Sequence, residues 1–272
     1  MHGSSQSIEP LTEQAFLELC HARLYPAMLR AGIQKKIRQV FQKIIGRPLE
    51  NFMLKLWLKN TSAGKLLEKM GLPRRSIEEH YRSCLTNEVD PNSLTTLVTF
   101  KNKYQRRRLG NRFIWDGDWD KSVKHFYGTE RYRFLEDIWE NREDLTKSRR
   151  FQELVERHRR GNPYRSYHKG VYLDDDQKVH RFLQIYLTFM KQLEHGGYNS
   201  LLATDPVGVA LDRRGQLIKI NKGLHRLAMA QVVGLKKIPV CIRSVHRMWW
   251  DKHRKPNIKL GTDLFLLLSK RV

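Results

Sequence analysis

Asp116-Gly117-Asp118-Trp119-Asp120 sets three carboxylates at alternate positions of one short stretch. In extended backbone, residues two apart share a face at roughly 6 to 7 Å, so the three can converge on a hydrated Mg²⁺ or a substrate hydroxyl. Asp118 and Asp120 are then the candidate catalytic base or Mg²⁺ ligands. An EF-hand is not the explanation, because that loop needs Gly at its sixth position and Glu at its twelfth, where this chain has Lys121 and Tyr127. The same aspartates can instead cap a helix beginning near Lys121 and pair with basic side chains, with Trp119 in the core. Residue types and spacing leave both readings open.

The second group is Asn221-Lys222-Gly223-Leu224-His225-Arg226. Upstream, Val207, Val209 and Leu211 alternate, Asp212-Arg213-Arg214-Gly215 supplies turn chemistry, and Ile218 and Ile220 alternate again, which predicts a β-hairpin. Downstream, a helix opening at Lys222-Gly223 carries Leu224, Leu227, Ala228 and Val232 and stops at Gly234, before a strand through Ile238, Val240 and Ile242. Glycine at the mouth of a helix lets a ligand approach backbone N–H groups at the positive end of the helix dipole. Lys222, Gly223, His225 and Arg226 are therefore candidate phosphate-binding residues, the arginine offering a fork that matches phosphate oxygens. The alternative is a basic surface turn with no ligand.

The succession strand, Gly-x-His-Arg-Leu-Ala at a helix start, then Gly-Leu-x-x-Ile-Pro-Val resembles the fold shared by sulfiredoxin, the N-terminal domain of ParB partition proteins and free-serine kinases. The resemblance covers about forty residues and implies that Gly223 to Arg226 hold nucleotide phosphates. Further upstream, Glu88-Val89-Asp90-Pro91 through Asp120, with Gly196-Gly197-Tyr198, resembles a ParB-like branch with a Gly-Asp-Trp-Asp element, often met beside bacterial surface-polysaccharide genes. His246 and Trp249 stand where that branch has a His and a Trp, which with Trp119 implies a shared cleft; a His beside Trp is otherwise structural. Sulfiredoxins carry a catalytic cysteine where this chain has Leu224, so sulfinic-acid reduction by that route is excluded.

The fold expected is mixed α/β: a ParB/sulfiredoxin-like small mixed sheet with a helical insertion and a helical N-terminal extension. Residues 1–85 form the extension, 86–255 the domain with its insertion at about 121–195, and 256–272 a tail, while Met1 to Ser7 reads as a disordered lead. In the extension Ile33, Ile37, Val40, Phe41, Ile44 and Ile45 fall on one helix face, with Arg30, Lys35, Lys36, Arg38 and Lys43 on the rest and no acid between Glu18 and Glu50. Packing of that apolar face on the domain is the first expectation; lying on a membrane surface or a nucleic-acid backbone is the alternative. Lys101 to Arg108 reads as a basic loop, either solvated or in contact with a phosphate backbone, and residues 121–192 as mostly helical.

A net charge of +23 over 272 residues attracts nucleic acid, anionic lipid or phosphorylated substrates. Cys20, Cys84 and Cys241 suggest neither a disulfide framework nor a zinc site, which fits a reducing cytosol, and no apolar run reaches the ~18 residues of a spanning helix. The leading expectation is a cytoplasmic protein, peripheral at the inner face of the membrane in one version, that binds a nucleotide (ATP or CTP) or a phosphorylated small molecule with Mg²⁺. Phosphotransfer or nucleotide hydrolysis is the activity such a site would support. The alternatives are a non-enzymatic nucleic-acid-binding protein and a peripheral membrane protein linked to surface-polysaccharide biosynthesis.

Overall fold

In a computed structural model the described residues are 13–167, 170–198 and 206–254. The lead 1–7 and the tail 256–272 lie outside them. Helices α1 (Tyr25–Phe41), α2 (Arg47–Leu58), α3 (Ser62–Met70), α4 (Arg74–His80) and α5 (Arg82–Leu85) precede the first strand. Then come β1 (Thr86–Val89), β2 (Thr96–Val98), α6 (Lys103–Gly110), β3 (Ile114–Trp115) and β4 (Val123–His125). Helices α7 (Glu130–Glu140) and α8 (Arg149–Arg159), strands β5 (Tyr164–Ser166) and β6 (Val171–Leu173), and α9 (Asp176–Gly196) follow. The last elements are β7 (Val207–Leu211), β8 (Leu217–Lys219), α10 (Leu224–Val233), β9 (Ile238–His246) and α11 (Arg247–His253). The class is mixed α/β, with helices leading the chain.

The chain divides into two compact units. One comprises residues 1–38, 130–205 and 225–235; the other comprises 39–129, 206–224 and 236–272. The second unit holds a seven-stranded mixed sheet in the order β1-β9-β7-β8-β2-β4, with β3 also on β9. β9 runs parallel to β7 and β3 and antiparallel to β1, while β2 is parallel to β8 and antiparallel to β4. The β7–β8 hairpin forms as its alternation predicts: Asp212 Oδ1 accepts from Arg214 N at 2.8 Å and Gln216 N at 2.7 Å, closing the turn. The helices α2 and α3 are tied to α11 by the buried Glu68, which accepts from Trp57 Nε1 at 2.7 Å and Trp250 Nε1 at 2.9 Å and pairs with Arg254 at 2.6 Å. Three donors on one carboxylate are what its burial requires.

In the first unit α9 supplies the core, burying Val179, Phe182, Leu183, Tyr186 and Met190 along one helix that starts at an Asp175 cap. Strands β5 and β6 form a separate hairpin there. None of Cys20, Cys84 and Cys241 is in a disulfide.

Three sequence expectations need correction. Lys101 to Arg108 is not a loop: Asn102 accepts from Gln105 N at 2.8 Å while Gln105 Oε1 accepts from Lys101 N at 2.8 Å, a reciprocal cap that starts α6. No α-helix begins near Lys121; a single 3₁₀ turn at Trp119–Lys121 leads into β4, whose Val123 to His125 pair with β2. Nor does the apolar face of the N-terminal helix pack on the protein. Ile33, Ile37, Val40, Phe41, Ile44 and Ile45 are all exposed, Ile37 at 64% and Ile44 at 66%.

Candidate functional site

Asp118 and Asp120 meet, but on a guanidinium. Arg213, from the hairpin turn, donates Nε to Asp120 Oδ2 at 2.7 Å and Nη2 to Asp120 Oδ1 at 2.6 Å and Asp118 Oδ1 at 2.7 Å. Asp116 stands apart, accepting among the described residues only from its neighbour Gly117 N at 2.7 Å, because Gly117 at φ 87° breaks the extended run that would have aligned three carboxylates. Burial pushes the Asp120 carboxyl up, but the Arg213 hydrogen bonds outweigh it and hold it below the usual carboxylate range. Asp118 is also held low by Arg213 and Lys121, although its side chain is 67% exposed. A carboxylate so stabilised in its charged form is a weak proton acceptor.

These residues do not fit a resident Mg²⁺: Arg213 already supplies the positive partner between them, and among the described residues no group of three or more His, Cys, Asp or Glu is placed to hold a metal. Asp118 makes no side-chain cap. Of the alternatives for the aspartates, ion pairing is what the geometry displays.

Trp119 is core, edge-on to Trp115 at 5.1 Å and tilted on His246 at 5.6 Å. His246 Nδ1 accepts from Met248 N at 3.0 Å, which puts its proton on Nε2, where it is donated to Gly117 O at 2.8 Å. Both ring nitrogens are thereby committed, with Asp120 Oδ1 at 3.6 Å from Nε2. Trp249 is buried and stacks on His253 at 4.4 Å. Trp119, His246, Asp118 and Asp120 are thus one structural cluster.

The phosphate candidates separate. Lys222 lines a cavity of about 260 Å³ in the sheet-bearing unit, together with Arg74, Phe100, Arg106, Trp115, Asn221 and Arg243. Gly223 follows at φ 76°, and α10 begins at Leu224. His225 belongs to the other unit, where it lines a separate cavity, its ring 6.0 Å from that of Tyr186. Arg226 is half-buried in the first turn of α10.

Two of the four cationic side chains around this space share one acid. Glu78 bonds Arg74 at 2.7 Å and Arg243 at 2.9 Å, and Arg74 Nε also donates to Gly110 O at 2.6 Å. With its amide turned to satisfy both groups, Asn221 accepts from Arg106 Nη2 at 2.8 Å. Beneath the turn lies Lys219, fully buried, its ammonium donating to Gly208 O at 2.9 Å and to the carbonyls of Ile220 and Lys222. Those bonds fix the turn that presents Asn221 and Lys222 and put a charge under it. Gly208 makes room: a Cβ there would sit 2.8 Å from Arg243 Cδ and 3.1 Å from Lys222 Cβ.

Sequence reasoning missed Lys219, Gly208, Arg74 and Arg243; Arg106 stood in the Lys101 to Arg108 stretch, already a candidate for phosphate-backbone contact. A glycine inside a strand is a known sign of close approach and could have pointed to Gly208; Arg74 and Arg243 gave no local sign.

Compared with known proteins, the chain matches no family model, no curated protein and no solved structure at a significant level. What the fold and site define is a mixed α/β protein with a cation-lined cavity at the end of a β-hairpin.

Proposed function

We propose that the sheet-bearing unit binds a phosphorylated small molecule, its phosphate held by Arg106, Lys222 and Arg243 and the adjoining ring set against Phe100. The observation that carries this reading is the gathering of Arg74, Arg106, Lys222 and Arg243 on one cavity above the buried Lys219 ammonium. Its volume of about 260 Å³ falls just short of the ~300 Å³ at which ligand pockets usually begin. It therefore accommodates a phosphate and its neighbouring ring, as in a mononucleotide, and leaves further phosphates of ATP or CTP outside. The resemblance to the ParB/sulfiredoxin fold supports the same class of ligand at this turn. Binding is the proposed activity; Asp118 and Asp120, committed to Arg213, have no part in it.

The test is calorimetric titration of the full chain with inorganic phosphate, ribose 5-phosphate, CMP, CTP and ATP, with and without Mg²⁺. Binding of a monophosphate that weakens by at least about tenfold in Arg106→Ala and in Lys222→Ala, with thermal stability kept, supports the reading. A flat series, with oligonucleotides bound instead and steeply weakened by salt, would replace it by backbone-phosphate recognition of nucleic acid.

One observation favours a second partner: the exposed row Leu29, Ile33, Ile37, Val40 and Phe41 on α1, set against Arg30, Lys35, Lys36 and Arg38. An anionic lipid surface suits both sides of such a helix, burying the apolar row and attracting the cations. Among the described residues no helix is long and apolar enough to cross a membrane.

A further inference from the structure

The unit built around α9 has a cavity of its own, about 790 Å³ and walled by α7, α8, β5 and α9. Five arginines line it, Arg131, Arg133, Arg149, Arg150 and Arg157, against two glutamates, Glu130 and Glu153. Glu153 serves Arg149 at 3.2 Å and Arg150 at 3.1 Å. Arg131 and Arg133 have no carboxylate partner among the described residues, and Arg150 buries an Nε–H with no acceptor. The floor is aromatic: Phe134, Tyr186 and Phe182 lie with ring centres 5.0 to 6.3 Å apart, and the Arg150 guanidinium rests 5.6 Å over Phe134. Phe182 and Tyr186 are buried, so they form a floor and not a platform on which successive bases could stack.

Like charges gathered without counter-charges repel one another, and the repulsion is relieved by an anion that spans several of them. Guanidinium groups bond phosphate oxygens in pairs, so five around one cavity suit several phosphates close together. Glu130 and Glu153 at the same wall offset part of the field, leaving the positive sign in excess.

We propose that this cavity is a binding site for a small molecule carrying several phosphate groups, separate from the monophosphate site of the other unit. Arg131, Arg133 and Arg157 grip the outer phosphates, and Arg150 donates its unpaired Nε–H from the aromatic floor. The cavity, near the upper half of the ~300 to 1,000 Å³ range of small-molecule sites, has room for such a ligand.

The experiment is titration of the full chain with inorganic triphosphate at low and physiological salt, with inorganic phosphate as the comparison. Triphosphate is expected to bind and phosphate to bind much more weakly. The double variant Arg131→Gln, Arg133→Gln, on exposed positions of α7 where folding does not depend on the charge, should weaken triphosphate by about a hundredfold, roughly tenfold for each lost charge-assisted contact. Arg157→Gln provides a second arm from a different helix, and Lys222→Ala, which touches only the other cavity, should leave the tighter class of triphosphate binding unchanged. No binding at low salt, or equal affinity in the correctly folded double variant, overturns the proposal. Loss of triphosphate in Lys222→Ala with the arginine variants unaffected would move the ligand to the other cavity and overturn it as well. Oligonucleotides that displace triphosphate, with affinity rising with strand length, would overturn the small-molecule class.

Discussion

Replacing Lys219 by methionine separates the charge beneath the turn from the shape of the turn. Among the described residues the ammonium donates to the carbonyls of Gly208, Ile220 and Lys222, three bonds from one charged donor. A bond from a charged donor contributes about 1.5 to 3 kcal/mol, so their sum approaches ~5 to 9 kcal/mol. Desolvating the buried ammonium costs several kcal/mol in the opposite direction. None of the three carbonyls is orphaned by the change: Gly208 O still accepts from Ile220 N at 3.3 Å, Ile220 O from Lys222 N at 2.7 Å, and Lys222 O from Gly208 N at 3.1 Å. The net loss of stability for Lys219→Met is therefore about 1 to 3 kcal/mol, a fall of roughly 2 to 12 °C in melting temperature for a chain of this size.

The effect on ligand is of another kind. At an effective dielectric near ~20, a unit charge roughly 6 to 12 Å from a singly charged phosphate contributes about 1.4 to 2.8 kcal/mol, or roughly tenfold to a hundredfold in affinity. Lys219→Gln keeps a donor and discards the charge, so it should recover part of the melting temperature and none of the affinity. Thermal melts followed by monophosphate titration of both variants decide the matter. Affinity within about threefold of the unaltered chain in a folded Lys219→Met would show that the buried charge does not act on the cavity. Affinity recovered in Lys219→Gln would assign the whole effect to geometry.

Two other outcomes follow from the same geometry. The Asp120–Arg213 pair has a folded carboxyl pKa below the unfolded value of about 3.9, so its contribution is fully present above that value and is lost as pH falls through the lower, folded one. Arg213→Gln should remove this acid-labile part of the stability, so melting curves of variant and unaltered chain should converge toward low pH; a constant gap over the acid range would contradict the assignment. For the exposed row of α1, Ile37→Ser with Phe41→Ser should abolish cosedimentation with phosphatidylserine vesicles, whereas uncharged vesicles should bind neither form well. Unaltered cosedimentation of the double variant would exclude the apolar face as the contact.

The hairpin and the strand after α10 were legible because their signals are local. Alternation from Val207 to Leu211, an Asp-Arg-Arg-Gly turn and a second alternation need no distant partner, and the register Val209 with Lys219 and Leu211 with Leu217 follows from them. Lys219 was illegible for the same reason. A lysine between Ile218 and Ile220 reads as the solvent-facing member of an alternating strand, and backbone carbonyls brought over it by the tertiary fold meet its ammonium inside. Arg213 read as turn chemistry, yet its partners lie more than ninety residues earlier, at Asp118 and Asp120. Arg74 and Arg243 come together because α4 packs against β9 and sends Glu78 to both. The N-terminal helix failed differently: its periodicity is real, but a period reports a face, not what covers it.

The two groups of cations differ in how they are held, and that difference bears on what each can bind. Around the smaller cavity Arg74 and Arg243 are fixed by Glu78, Arg106 by Asn221, and the turn itself by Lys219. Groups already ordered lose little entropy when a ligand arrives, and they accept few geometries, as a monophosphate on a defined ring requires. Around the larger cavity Arg131 and Arg133 are exposed and carry no ion pair among the described residues. Each must be ordered by the ligand, at about 0.5 to 1.5 kcal/mol per long side chain, which only a ligand with several negative charges can offset. A monophosphate therefore prefers the ordered site and a polyphosphate the adaptable one. Titration with a single triphosphate should show two classes of affinity, the tighter removed by the α7 arginine changes and the weaker by Lys222→Ala.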